Sequence, residues 1–225
     1  TLGSASDGLA VVTAEHPLVT EAIDRLLGQG VPVFSLISPL SARGNVGYVG
    51  LDNWKVGRTA AWAFDRICRT SGKIGILVGN HRYRCQEMNE SGFRSYFREF
   101  GDGFVLLEPL STFESAAIAR EMTEQLLAEH PDLQGLFISG GGITGALAAL
   151  RDSGRAGRIV AIGYELMDVT KAALMDGTLT LVIAHPLQRL ARETIAAMIR
   201  ARSAGDGAVS QTIQLPFDIH TAENL

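Results

Sequence analysis

Only two of the 225 residues are cysteines, Cys68 and Cys85. Two cysteines form no disulfide framework, and neither stands at a metal-ligand spacing, so a stapled mini-protein and a zinc module are both excluded. Proline is scarce at 7, while apolar residues make up 46% of the chain, the composition of a folded protein. Basic residues are in the minority, 20 Lys and Arg against 24 Asp and Glu, for a net charge of −4. That balance gives no long-range attraction to nucleic acid. No apolar run approaches the ~18 residues of a membrane span, so no membrane partner is expected. A signal peptide is missing too, but the chain opens on "TLGSASDG" without an initiator Met and enters a strand at once. That is the pattern expected of a fragment whose front has been removed.

Catalytic signatures are equally sparse. The five histidines, His16, His81, His130, His185 and His220, show no i, i+4 pairing and no cysteine partner, which leaves a metal site without ligands. No Gly-x-Ser-x-Gly elbow occurs. Glu165 has the chemistry of a general base, but no acid partner or nucleophile accompanies it. The expectation is a protein that is not an enzyme and carries no cofactor.

What is present is a regular alternation of short apolar runs and amphipathic stretches. Strands are expected at "LAVVT" (9–13), "VPVFSLI" (31–37), "YVGL" (48–51), "KIGILVG" (73–79), "LQGLFIS" (133–139), "RIVAIGY" (158–164) and "LTLVIA" (179–184). Helices are expected from Pro17 to Gly28, after Asp52 or Asn53 as N-cap, and over 84–100, about 113–129, 143–153, 167–176 and 186–203. The fourth of these opens on Ser111-x-x-Glu114, which reads as a capping box. "VSQTIQLPFDI" closes the chain as an extended segment. Alternation with short connections predicts α/β architecture with doubly wound parallel sheets. Trp62 and Phe64 are expected to pack, and Arg94 and Glu99 to face water.

"LFISGGGITGAL" (136–147) carries Gly140-x-Gly142-x-x-Gly145, with Glu165 twenty residues beyond. That is the spacing of a dinucleotide cradle with its ribose-binding acid. Such a motif normally lies on the first βαβ unit, whereas four or five strands precede this one, so a close-packed turn is the stronger reading. Ser139, Glu165 and His185 end three successive strands, and ligands of open α/β sheets collect at that carboxyl edge.

Taken in order, "YVGLDNWKVGRTAA", "ESGFRSYF", "GALAALRDSG", "IVAIGYE" and "VIAHPLQRLARETI" resemble the effector-binding core of the lactose-repressor (LacI) family of transcription regulators. That core is similar to periplasmic sugar-binding proteins of the ribose-binding type. The resemblance implies two Rossmann-like lobes with parallel sheets, of the type I periplasmic-binding-protein kind, lacking the first strand-helix-strand unit. The N-terminal lobe would hold 1–51 plus 187–213, and the C-terminal lobe 52–186 plus 214–225, with Asp52 and Asn53 at a hinge. It further implies a small sugar or sugar-acid effector closed between the lobes, a homodimer, and DNA contact through a helix-turn-helix domain that this chain does not contain. The location implied is cytoplasmic, or periplasmic if the chain serves a transporter. By the family pattern the ligand-binding positions fall on Ser38, Asn89, Phe113, Ser139, Glu165 and His185. Asn89 replaces an arginine, and Arg82 or Arg84 supplies the missing cation. Gly140 replaces a sugar-gripping side chain beside Ser139, implying a widened pocket wall.

Overall fold

The computed structural model describes residues 6–101, 103–204 and 211–225. In chain order the elements are β1 (Leu9–Val11), α1 (Pro17–Gly28), β2 (Val33–Leu36), β3 (Gly47–Leu51), α2 (Asn53–Ile67), β4 (Lys73–Val78), α3 (Arg84–Phe100), β5 (Val105–Leu106), β6 (Leu110–Ser111), α4 (Ala116–Glu129), β7 (Leu133–Ile138), α5 (Ile143–Asp152), β8 (Val160–Tyr164), α6 (Asp168–Met175), β9 (Leu181–Ala184), α7 (Leu187–Ala204), β10 (Thr212–Leu215) and β11 (Asp218–His220). The chain is α/β with sheets that are mostly parallel, as the alternation predicts.

Two compact units divide it. The smaller comprises 1–52, 82–85 and 185–216, and the larger 53–81, 86–184 and 217–225. The chain therefore passes between units at Asp52/Asn53, His81/Arg82, Cys85/Gln86, Ala184/His185 and Pro216/Phe217.

The smaller unit has a four-stranded sheet in the order β1-β2-β3-β10, parallel throughout. β3 is buried along its whole length, so both of its faces are covered, as a parallel strand requires. Ile23, Val33 and Leu40 centre its core, with Leu26, Leu27 and Val46 packed against them. α1 starts at Pro17, where a missing N–H costs nothing. The His16 imidazole caps it by accepting from Leu18 N at 3.2 Å.

In the larger unit the sheet runs β11-β9-β8-β7-β4-β5, with β6 also on β4. β11 is antiparallel to β9, a departure from the all-parallel expectation. It starts opposite Ala184, the last residue of β9, and so can only run back along it.

The capping box expected at Ser111-x-x-Glu114 is not formed. α4 begins at Ala116, and Ser115 caps it by accepting from Ile118 N at 3.4 Å. Phe113 and Glu114 both have left-handed φ, 52° and 60°, and two such residues in succession cannot enter a right-handed helix. Phe64 packs as expected, fully buried and edge-on to Phe93, but Trp62 is 49% exposed. Nor do Arg94 and Glu99 simply face water. Arg94 donates to Glu90 at 2.8 Å and to the Leu107 carbonyl at 3.0 Å, and Arg58 donates to Glu99 at 2.8 Å.

Candidate functional site

The carboxyl ends of the parallel strands carry every non-glycine residue with positive φ among the described residues. Ile37 (66°) follows β2, Phe113 and Glu114 follow β6, and Glu165 (68°) follows β8. A left-handed conformation in a residue with a side chain is costly, and such outliers gather where geometry is fixed for a task.

In the larger unit, Glu165 is half-buried just after β8. Its amide donates to the Ile183 carbonyl at 2.9 Å. Thr170 Oγ1 donates to the Glu165 carbonyl at 2.9 Å and accepts from Met167 N at 2.8 Å. The backbone is thus pinned on both sides, which fixes where the side chain leaves the chain. Phe113, 66% exposed, presents an aromatic face at the same edge.

Asn89 and Ser139 meet in this unit, but not at its surface. Both are fully buried, and Asn89 Nδ2 donates to Ser139 Oγ at 3.3 Å. The asparagine that replaces the expected arginine ties α3 to the end of β7. Asn53, the first residue of α2, is also buried and accepts from the Tyr164 hydroxyl at 3.4 Å. Asp52 occupies the preceding N-cap position.

The smaller unit holds Ser38, Arg82, Arg84 and His185. Ser38 is 1% exposed, and its hydroxyl accepts from Cys85 N at 3.3 Å in the first turn of α3. That bond satisfies one of the helix's orphan donors. Arg84 Nη1 donates to Ser41 Oγ at 3.2 Å, and the Arg82 carbonyl accepts from Glu15 N at 2.8 Å. His185, 3% exposed, follows β9 directly.

A cavity of about 660 Å³ in the smaller unit opens at the other end of the sheet, beside Val33 and Gly47 where β2 and β3 begin. None of the residues predicted from sequence lines it.

The glycine run proves to be a packing device. A Cβ on Gly145 would collide with the Ala116 carbonyl oxygen, because α4 and α5 touch backbone to backbone there. A Cβ on Gly142, whose φ is 85°, would come within 2.6 Å of the Ser115 oxygen. Cβ atoms on Gly140 and Gly141 would strike Gly79 and the Glu114 carboxylate respectively. Protein atoms fill the space these glycines free, with a carboxylate among them where a nucleotide would need to place phosphate. The wall expected to be widened is therefore filled.

Residues 2–206 match the family described as the periplasmic binding protein domain. The chain belongs to that family.

Among relatives of this periplasmic binding protein domain is the D-ribose/D-allose-binding protein of Pseudomonas aeruginosa, 24% identical over 181 residues. The alignment covers 77% of this chain but only 56% of that protein. A solved ABC transporter solute-binding protein from Agrobacterium vitis, with bound D-fucose, is 21% identical with a TM-score of 0.85, over 97% of this chain and 76% of that one. GanP, a glucose-galactose binding protein from Geobacillus stearothermophilus, is 18% identical with a TM-score of 0.88, over 100% and 80%. At these identities the two structures establish the fold alone.

Two features of the edge escaped sequence reading. Gln86 is buried and makes two bonds: its Oε1 accepts from Asn80 N, and its Nε2 donates to Glu114 Oε1, both at 2.9 Å. Glu114 had been assigned to a helix cap. The four left-handed residues would have been the signal, but none of them is a Gly, Asn or Asp, the types that favour that conformation.

The cysteines add no reactive group. Burial, reinforced by the neighbouring Asp65 carboxylate, pushes the Cys68 thiol up to about 11. It stays protonated at neutral pH, and a thiol is a poor nucleophile. Iodoacetamide at pH 7.5 should therefore alkylate Cys68 more than tenfold slower than a free cysteine, a rough factor set by the thiolate fraction. Mass-spectrometric time courses check this, and modification at the rate of free cysteine would contradict the burial assigned to it.

Proposed function

We propose that this periplasmic binding protein domain binds a small sugar, with the carboxyl edge of the larger unit as its sugar-facing surface. Glu165 is the observation that carries the reading: a half-buried carboxylate held by a pinned, left-handed backbone at the end of β8. A fixed carboxylate accepts hydrogen bonds from adjacent hydroxyls without reorganising, and Phe113 offers an apolar surface for a sugar ring's C–H face.

The relatives named above are solute-binding proteins, and this favours the binding component of a sugar transporter, in the periplasm, over the cytoplasmic regulator of LacI type. The regulator shares this fold, and a DNA-reading domain and a homodimer belong only to that second reading. Binding without turnover is the chemistry proposed, with no cofactor.

Calorimetry with D-ribose, D-allose, D-fucose and D-galactose tests the proposal, with NAD as a control. At least one sugar should bind, and Glu165→Ala should weaken it by roughly tenfold or more, since ligand hydroxyls lose a charged acceptor. Stabilisation by NAD alone, or unchanged sugar affinity in Glu165→Ala, would count against it.

A further inference from the structure

Glu114 stands at the centre of the larger unit's carboxyl edge, and nothing in its local fold requires a carboxylate there. Ser115, its neighbour, already caps α4. The Glu114 side chain instead lies over the turns that follow β4 and β7. A Cβ on Gly79 would strike its Oε1, and a Cβ on Gly141 its Oε2. Two glycines on two different strands thus make a slot for one carboxylate.

The slot is braced. Gln86 reaches from α3, is 8% exposed, and fixes Oε1 at 2.9 Å while its own oxygen holds Asn80 N. Thr112 Oγ1 donates to the Gly141 carbonyl at 2.7 Å and ties the segment after β6, which carries Glu114, to the turn after β7. Residue 114 itself remains exposed, so its carboxylate keeps acceptor capacity beyond the bond from Gln86. A left-handed glutamate held in this way is pre-organised to meet a ligand.

We infer that Glu114 is a ligand-contacting acceptor that, with Glu165, selects neutral hydroxyl-bearing sugars and rejects sugar acids. The inference rests on the sugar-binding reading. The residues that follow β4, β6, β7 and β8 in the larger unit are Gly79–His81, Thr112–Glu114, Ser139–Gly142 and Glu165–Met167. They include two carboxylates and neither lysine nor arginine. Arg82 and Arg84 belong to the smaller unit, where Arg84 binds Ser41. A carboxylate ligand at this edge would face like charge, while a polyol offers donors to both acids.

The test is calorimetry on the native chain, Glu114→Gln and Glu114→Asp, with D-ribose, D-allose, D-fucose and D-galacturonate. Glu114→Gln is nearly isosteric, and Glu114→Asp keeps the charge but withdraws it from the slot. Ligand-free melting curves establish that both variants fold. The native chain should bind a neutral sugar and not galacturonate. Both variants should bind that sugar roughly tenfold or more weakly, as loss of a charged acceptor implies. Neutral-sugar affinity retained in Glu114→Gln would overturn this inference alone, as would galacturonate binding to the native chain in preference to neutral sugars. A native chain that binds none of the four would overturn the sugar-binding reading and this inference with it.

Discussion

Gly145→Ala should destabilise the protein by about 2–3 kcal/mol, although helix propensity alone predicts the opposite sign. Residue 145 lies in the first turn of α5, and replacing glycine by alanine in a helix ordinarily gains about 1 kcal/mol. Here the new methyl would collide with the Ala116 carbonyl oxygen and sit 2.9 Å from Arg120 N, both backbone atoms of α4. A side chain could rotate away, but a helix backbone can only retreat. Moving α4 off α5 opens a core built on Leu126, Ala146, Leu147 and Leu150. Over-packing of this kind costs about 1–3 kcal/mol and occasionally more, and a clash with backbone belongs at the upper end. Packing therefore wins over propensity. A thermal melt followed by far-UV circular dichroism should show Tm lower by roughly 4–12 °C. An unchanged or raised Tm would mean that the helices are not in contact there, and would return the glycine run to a ligand-facing role.

Phe93→Ala should cost about 3–5 kcal/mol, the usual range for deleting a fully buried aromatic ring. Phe93 is 0% exposed and stands where α3 meets the sheet of the larger unit. Its ring stacks on Phe137 of β7 at 4.7 Å and 11°. It meets Phe64 of α2 edge-on at 5.6 Å, and Phe97 at 5.2 Å. Removing it takes from Phe64 and Phe137 the ring each packs against, while Phe97 keeps Tyr96 and Phe104, and the backbone around it has little room to collapse. A Cβ on Gly57 would already collide with the Asn89 carbonyl and come within 2.8 Å of Phe93 N. Phe93→Leu, which retains most of the volume, should lose substantially less. Urea unfolding of both variants gives the comparison, and equal losses would show that ring packing is not the source of the stability. Phe93 lies one helical turn from Asn89, whose side chain donates to Ser139 Oγ at 3.3 Å.

The order of strands and helices along the chain was legible because it depends on local pattern. Runs such as "KIGILV" are buried along nearly their whole length, and a strand covered on both faces must be apolar throughout. Helix starts were legible where the signal is a single residue, as at Pro17. Placement of Glu165 at a strand end followed from the same periodicity. What the sequence could not give was the partner of each polar side chain. Asn89 and Ser139 are fifty residues apart, and nothing local says that they meet or that meeting buries them. Ser38 was read as ligand-facing, yet its hydroxyl serves the first turn of a helix forty-seven residues on.

The glycine run shows where the two kinds of information divide. Its sequence determined that side chains are absent after β7 and that a helix follows, since both depend only on residue type and spacing. Only the tertiary structure decided what fills the space. α4 approaches α5 through Gly142 and Gly145, and Glu114 lays its carboxylate over Gly141 and Gly79. Glycine permits close approach by any neighbour, phosphate or protein, so its spacing carries no record of which one comes. That is fixed by the path of the chain between β6 and α4, where two left-handed residues turn a presumed helix cap into a carboxylate at the edge of the sheet.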